Sequence, residues 1–231
     1  MGGELGPYLL GPNDTPENGI YCGDARELAK AIPDESVDLV FTDPVYDRID
    51  DYRWLAATAR RVLKPDRVCL AFVDSRNSGL AEMAMRDSLT FQWRLYYVIP
   101  GKPGALHLYG IYPCTTVCLY FAKGHAKASP YIPDTLVSSA RPDSKFRWQK
   151  NTAVLRRWTE SFTGEGGIVL DPFAGSGSIA AASRALWRSY LAFEIDPDIC
   201  ALARDRVRNT QPPLFVPESE QQLQMDIRSQ P

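Results

Sequence analysis

Two short segments of this 231-residue chain combine residue types that could act chemically on a bound ligand. In the first, residues 43–46, a carboxylate and an aromatic ring lie on either side of a proline. Asp43 and the carbonyl of Pro44 could accept hydrogen bonds from an amine, and Tyr46 could stack on the flat ring that carries it. An ordinary strand-to-helix turn with an N-capping aspartate has the same pattern, so this segment alone does not decide the function.

The second segment, residues 167–178, has an apolar run that ends in a glycine-rich turn. Such a run indicates a buried parallel strand, and Gly175 and Gly177 allow the backbone to approach a ligand before a helix begins. A second apolar run, residues 190–193, ends on Glu194, whose carboxylate suits the hydroxyls of a ribose. The pattern predicts a site for an adenosine-containing ligand, with a glycine-rich turn in an ordinary α/β domain as the alternative.

Length and composition fit one α/β domain over residues 19–209, with a loose arm at 1–18 and a tail at 210–231. No run approaches the ~18 apolar residues of a membrane span, and no signal pattern opens the chain. We therefore predict a cytoplasmic protein without a membrane partner. A formal net charge of −2 argues against a globally basic surface but allows a local basic groove.

Further segments surround these two in a specific order. A block at 23–46 opens with Gly-Asp-Ala and ends with Asp-Pro-Val-Tyr, and residues 61–65 are Arg-Val-Leu-Lys-Pro. Gln-Lys-Asn at 149–151 precedes a predicted helix and then the glycine-rich block at 169–177. Together these blocks resemble the amino-group DNA methyltransferases of the permuted type, in which the catalytic motif precedes the cofactor motif. The match extends over about residues 19–209.

The resemblance implies the seven-stranded, Rossmann-like α/β fold of S-adenosylmethionine-dependent methyltransferases, in circularly permuted motif order. It also implies methylation of an exocyclic amino group in DNA, on a base flipped out of the duplex. Adenine N6 is favoured over cytosine N4 because aspartate precedes proline. The catalytic roles then fall on Asp43, Pro44 and Tyr46. The implied cofactor-binding residues are Asp24, Ala25, Asp171, Phe173, Ala174, Gly175, Ser176, Gly177 and Glu194.

The interval 123–157 combines basic and aromatic residues with few acidic ones, which suits a nucleic-acid groove. In the family this interval carries the sequence-reading insert, which is short here, near 123–150. We predict that Lys145, Arg147 and Lys150 contact phosphates of double-stranded DNA. A solvated loop is the alternative interpretation.

The catalytic segment departs from the family at one position, since Val45 stands where the usual Asp-Pro-Pro-Tyr has its second proline. Valine is β-branched and also favours extended backbone, so we expect a looser but competent loop. An N4-cytosine or RNA methyltransferase, and a catalytically silent nucleic-acid-binding protein of this fold, stay open. A nicotinamide-dependent oxidoreductase would leave Asp43 and Tyr46 without a role. A homodimer and an accompanying restriction enzyme stay open as well.

The cysteines and histidines give no basis for a metal site. Five cysteines favour reduced, buried thiols, and two histidines without a paired Cys-x-x-Cys do not indicate zinc. Cys114 follows a proline, as does the nucleophile of cytosine-C5 methyltransferases. Its spacing from Cys118 instead predicts two core positions on one face of a strand.

Overall fold

The computed structural model of the chain describes most of the predicted domain. The ranges described are 19–99, 110–111, 113–138, 150 and 152–211, apart from the side chain of Ala153. The predicted phosphate contacts Lys145 and Arg147, the predicted N-terminal arm and nearly all of the predicted tail lie outside these ranges.

Eight strands form one sheet within the described ranges, one more than predicted. The strands are β1 (Gly19–Cys22), β2 (Val37–Thr42), β3 (Leu63–Val73), β4 (Thr90–Val98), β5 (Thr115–Lys123), β6 (Thr135–Val137), β7 (Ile168–Asp171) and β8 (Ser189–Glu194). Their order in space is β1-β8-β7-β2-β3-β5-β4-β6. The first five in that order are parallel, β5 is antiparallel to both neighbours, and β6 is parallel to β4. The additional strand, β6, has three residues, too few to give a periodic sequence pattern.

Helices connect the strands and cover both faces of the sheet. They are α1 (Ala25–Leu28), α2 (Ile49–Val62), α3 (Ser78–Arg86), α4 (Thr152–Phe162), α5 (Ser178–Arg184) and α6 (Pro197–Arg208). A 3₁₀ turn, Ala29–Ala31, continues α1. At the start of α6, the Asp196 carboxylate accepts the N–H groups of Asp198 and Ile199, which is the usual way to cap a helix. None of the described helices is both long enough and apolar enough to cross a membrane.

The sheet is buried on both sides, as the continuous apolar runs of its central strands predict. In β2, Val40 packs into a core shared with α1, α2 and α3, whereas Leu39 and Phe41 pack into the core beneath α4. Trp158 of α4 fills that second core, with its ring centroid 6.2 Å from Phe41 and 5.7 Å from Phe72. This double burial fixes β2 at the centre of the fold.

The cysteines follow the prediction in part. Cys22, Cys69, Cys118 and Cys200 are free thiols, and the last three of these are buried. Cys114, however, is exposed and lies just before β5 rather than inside it. The prediction that Cys114 shares a core face with Cys118 is therefore wrong, because the strand begins one residue later.

Asp38 fastens β2 to the strands on either side of it. Its Oδ2 accepts hydrogen bonds from Lys64 Nζ at 2.8 Å and from the backbone N–H of Ile168 at 3.0 Å, while Oδ1 accepts from Arg67 Nε at 3.3 Å. Burial raises the pKa of Asp38, but the bonds from Lys64 and Ile168 outweigh it and leave that pKa below its ordinary value. The ionised carboxylate thus joins β2 to β3 and β7.

We predict that Asp38→Ala lowers the free energy of unfolding by about 2 kcal/mol, because it removes hydrogen bonds to a charged acceptor. The pKa of Asp38 is lower in the folded chain, so its contribution is present above the ordinary carboxyl pKa and is lost as the pH falls through the lowered value. Urea unfolding at several pH values measures both effects. Asp50→Ala, which removes an exposed pair with Arg53, is the control and should leave the stability almost unchanged. Equal stability of Asp38→Ala and the parent chain at neutral pH would contradict this role.

Candidate active site

The two motifs of the sequence meet at the centre of the sheet. β2 and β7 are neighbours, and the chain leaves them toward opposite edges, through α2 to β3 and through α5 to β8. Such a change of direction opens a crevice at the carboxyl ends of the strands, where open α/β sheets bind ligands. Asp43 directly follows β2, and Asp171 is the last residue of β7. Both carboxylates therefore border the same crevice.

Asp171 joins the two motifs through hydrogen bonds. Its Oδ1 accepts from Thr42 Oγ1 at 2.6 Å and from the backbone N–H of Phe173 at 3.2 Å. Burial is the main reason why the pKa of Asp171 is raised to about 7. The two hydrogen bonds lower this pKa, whereas the charges of Asp43 and Glu194 raise it further. Asp171 thus anchors the start of the glycine-rich turn on β2.

The glycine-rich turn has a shape that requires glycine at Gly177. Its φ is 73°, in the left-handed region, and a Cβ there would lie 3.1 Å from the Cβ of Ala203 in α6. Gly175 also has a positive φ, 50°, but a Cβ at that position would meet no atom within 4 Å. The backbone at Gly177 is therefore packed against α6, whereas the backbone at Gly175 borders open space.

Two carboxylates lie at the carboxyl ends of the neighbouring strands β1 and β8: Glu194 is the last residue of β8, and Asp24 follows β1 by two residues. Glu194 Oε2 accepts the N–H of Gly175 at 2.9 Å, and Oε1 accepts the N–H of Asp196 at 2.9 Å. The N–H of Gly23 donates to the backbone oxygen of Glu194 at 2.9 Å, which brings the exposed Asp24 to the same edge. The side chain of Asp24 also caps α1. Both predicted ribose- and adenine-binding carboxylates thus lie beside the turn.

The remaining residues predicted to bind the cofactor lie on the same edge. Phe173 is half-buried, with its ring centroid 5.8 Å from that of Trp54. Ala174 is buried and donates its N–H to the backbone of β8, while Ser176 is half-buried in the turn. Ala25 is the first residue of α1. All nine predicted positions therefore line the carboxyl ends of β1, β7 and β8.

Arg206 of α6 connects this turn to α4. Its Nη1 donates to Ser178 Oγ at 2.9 Å and to Ser176 Oγ at 3.1 Å, and its Nη2 donates to Thr152 Oγ1 at 3.3 Å. The sequence analysis did not identify Arg206 as a site residue. The sequence offers only one indication of this role, namely that Arg206 is a basic residue in the last turn of an amphipathic helix.

Asp43 has two oxygens in different environments. Oδ2 accepts a hydrogen bond from Lys150 Nζ at 2.7 Å. Oδ1 is buried and has no hydrogen-bond partner among the described residues. A buried acceptor without a donor is uncommon in folded proteins, and this one belongs to the residue that directly follows β2, at the strand ends where open α/β sheets bind ligands. The arrangement can therefore accept a hydrogen bond from the N–H group of a ligand.

Lys150 lies inside the site, with 9% of its surface exposed. Besides Asp43, its ammonium donates to Tyr46 Oη at 2.9 Å and lies 4.6 Å from the ring centroid of Phe72. Burial lowers the pKa of Lys150, but Asp43 and Tyr46 outweigh burial, so the pKa lies above its ordinary value. This enclosed position does not fit the predicted contact of Lys150 with a DNA phosphate.

The rest of the predicted catalytic segment is assembled around Lys150. Tyr46 is half-buried, and burial, together with the charge of Asp43, raises the pKa of its hydroxyl, which therefore stays neutral. Pro44 is buried and Val45 is 52% exposed. Within the described ranges, no cluster of three or more His, Cys, Asp or Glu side chains could hold a metal ion.

Comparison with known proteins finds similarity to DNA methyltransferases. A family model described as DNA methylase matches residues 125–205. The Type II methyltransferase M.BamHI of Bacillus amyloliquefaciens is 25% identical over 89% of this chain and 60% of its own length. This chain thus spans less than two thirds of that relative.

Solved structures show the same fold at low sequence identity. PvuII DNA methyltransferase, described as cytosine-N4-specific, is similar with a TM-score of 0.75 and 18% identity, over 96% of both chains. The M1.HpyAVI–SAM complex has a TM-score of 0.69 and 23% identity, over 81% of this chain and 98% of that one.

The chain shares the Rossmann-like α/β fold of these solved methyltransferases, as predicted. The predicted resemblance to amino-group DNA methyltransferases is confirmed as a similarity, by the DNA methylase family model over residues 125–205 and by M.BamHI. The observed order of the motifs, with Asp43 before the glycine-rich turn, agrees with the predicted permuted arrangement.

We predict that Gly177→Ala destabilises the fold by about 1–2 kcal/mol or more, because it forces a side chain into the left-handed region and against Ala203. Gly79→Ala, in α3, is the matched control: a Cβ at Gly79 meets no atom within 4 Å. Alanine favours a helix, so that variant should gain about 0.5–1 kcal/mol. Urea unfolding of both variants measures the difference, and equal shifts would show that the turn does not require glycine.

Proposed function

We propose that this chain transfers a methyl group from S-adenosylmethionine to an exocyclic amino group of a base in DNA. The observation that carries the proposal is Oδ1 of Asp43, a buried acceptor without a partner among the described residues. It lies at the carboxyl end of β2, next to the strand that leads into the glycine-rich turn. Similarity to the DNA methylase family and to M.BamHI supports the same interpretation.

The residues of the crevice fit S-adenosylmethionine. The open space at Gly175 allows a ligand to approach the backbone, and the carboxylates of Asp24 and Glu194 offer acceptors for ribose hydroxyls and an adenine amine. The carboxylates of Asp24 and Glu194 supply negative charge beside the turn, which suits a ligand that carries a positive charge. When bound, S-adenosylmethionine supplies an electron-poor methyl group on its sulfonium sulfur.

The chain would contribute acceptors and a stacking surface. The exocyclic nitrogen of a base is a poor nucleophile, since its lone pair is conjugated into the ring. Asp43 Oδ1 and the Pro44 carbonyl would accept its two N–H groups and favour a pyramidal nitrogen with an available lone pair. The N–C bond forms as the S–C bond breaks, and the methylated nitrogen then loses one proton to solvent. Tyr46 would support the flipped base, so most of the rate would come from positioning.

Adenine N6 is the target that we propose, because Asp43 precedes a proline, and in the resembling family this order goes more often with adenine. A fold shared with a cytosine-N4-specific enzyme keeps cytosine as the alternative. Lys145 and Arg147 are proposed to contact DNA phosphates, as part of the basic segment before α4. A homodimer stays a prediction.

A catalytically silent nucleic-acid-binding protein of the same fold is the alternative function, because Val45 stands where the resembling family usually has a second proline. The Val45 side chain is 52% exposed, so little core packing depends on the residue type at this position. Asp43 and Tyr46, on either side of it, are both bonded to Lys150. These contacts support a catalytic segment that keeps its shape without a second proline.

We predict that Asp43→Asn lowers methyl transfer by about 10²–10³-fold, the usual effect of losing one preorganised electrostatic group. Because Asp43 acts mainly in the transition state, binding of DNA and cofactor should persist. Transfer of tritium from labelled S-adenosylmethionine to unmethylated genomic DNA measures the rate. Asp47→Asn, at an exposed position nearby, is the control and should match the parent chain. A rate for Asp43→Asn within about twofold of the parent would rule out the catalytic assignment.

We also predict that Glu194→Gln weakens S-adenosylmethionine binding by about 1.5–3 kcal/mol, the value of hydrogen bonds to a charged acceptor. Calorimetry measures the affinity. Urea unfolding of the same variant reports the loss of its bonds to Gly175 and Asp196. The exposed Asp198→Asn should bind as the parent does. Unchanged affinity in a folded Glu194→Gln variant would refute the role of this carboxylate in cofactor binding.

A further inference from the structure

Lys150 is a buried cation that the proposed transfer has not yet used. Its ammonium has two bonds within the catalytic segment, to Asp43 Oδ2 at 2.7 Å and to Tyr46 Oη at 2.9 Å. The ring of Phe72, part of the core beneath α4, lies on it with a centroid distance of 4.6 Å. The ammonium is thus held between the core and the catalytic segment.

The bond to Oδ2 decides which oxygen of Asp43 is available. A carboxylate can rotate, and both of its oxygens accept hydrogen bonds equally well. With Oδ2 fixed by Lys150, Oδ1 is the oxygen that stays buried without a partner. Removing the ammonium would leave a largely enclosed carboxylate without a counter-charge, which is unfavourable and would let it turn or draw in water.

The bond to Tyr46 fixes the other end of the same segment. One ammonium therefore holds residues on both sides of Val45, the position where the family that this segment resembles usually has a second proline. The two hydrogen bonds of Lys150 restrict the conformation of residues 43–46 through their side chains, whereas a proline restricts the backbone through its own ring. The raised pKa of Lys150 keeps its ammonium charged through the neutral pH range.

We propose that Lys150 is a positioning residue for the proposed methyl transfer: its ammonium holds Asp43 Oδ2 and Tyr46 Oη together, and so presents Asp43 Oδ1 to the target amine. This inference rests on the proposed function. Lys150 itself contacts neither reacting atom in this assignment. Its charge and its N–H donors, rather than its bulk, are what the segment requires.

Chemical rescue of Lys150→Ala tests that requirement. The variant leaves space where the side chain was, and we expect its turnover rate to fall by about 10²-fold or more. Methylammonium at tens of millimolar should enter this space and restore the rate at least tenfold. Sodium chloride at equal ionic strength, and tetramethylammonium, which has no N–H donor, should not. Lys64→Ala breaks another lysine–aspartate pair, Lys64–Asp38 at 2.8 Å, outside the site. This variant should transfer methyl groups at close to the parental rate and should not respond to methylammonium.

The outcomes separate this inference from the proposed function. If the parent chain methylates no DNA, the proposed function is wrong. Two outcomes with an active parent chain would show that the positioning role is wrong while the proposed function stands. In the first, Lys150→Ala is as active as the parent; in the second, it is slow and methylammonium does not restore its rate.

A stability cycle tests the same contact without any activity. Lys150→Met keeps the bulk of the side chain and should lower the melting temperature by several degrees, because Asp43 loses its partner. Asp43→Asn in addition should recover most of that loss, so the two changes should be strongly non-additive. Additive effects would overturn the inference, even if the alanine variant fails to fold.

Discussion

The parallel pairing of β2 with β7 is the constraint on which the site depends. It brings together segments that are far apart in the chain, so that the Thr42 hydroxyl and the Asp171 carboxylate, separated by 129 positions, lie 2.6 Å apart. The pairing has a defined register, Leu39 with Val169 and Val40 with Leu170. Since both strands are buried on both faces, a slip by one residue would exchange their core contacts, and the packing therefore specifies the register. The catalytic segment and the glycine-rich turn take their relative position from it.

Three of the carboxylates that border the crevice are each stabilised in a different way. Asp43 is paired with the ammonium of Lys150, and Asp171 is held by a hydroxyl and an N–H, with a pKa raised to about 7. Glu194 accepts two backbone N–H groups. Because Lys150 compensates Asp43 and the Asp171 pKa lies near 7, Glu194 is the carboxylate of these three that supports the proposal of a positively charged methyl donor. The crevice is assembled for binding and positioning, with no need for a covalent intermediate.

The permuted order of the motifs was implied by the resemblance to a known family, whereas local patterns in the sequence were sufficient to predict the central strands and the glycine-rich turn. Each of these depends on a contiguous run of residues, such as the apolar run that ends at Thr42, and the structure agrees with them. Lys150 could not be placed in this way, because its partners lie 107 and 104 positions earlier in the chain. Its basic neighbours indicated a surface role, whereas packing against Phe72 buries it. Arg206 and the three-residue β6 were missed for the same reason, because neither can be recognised without the tertiary contacts that it makes.

The central claim is that Asp43 Oδ1 receives the exocyclic amine of a DNA base. Mass analysis of nucleosides from DNA incubated with the protein and methyl-labelled S-adenosylmethionine tests it most directly. We expect the label in N6-methyldeoxyadenosine, and label in N4-methyldeoxycytidine would keep the amine assignment while changing the base. Label in 5-methyldeoxycytidine, where a ring carbon accepts the methyl group, or no labelled nucleoside at all, would contradict the claim.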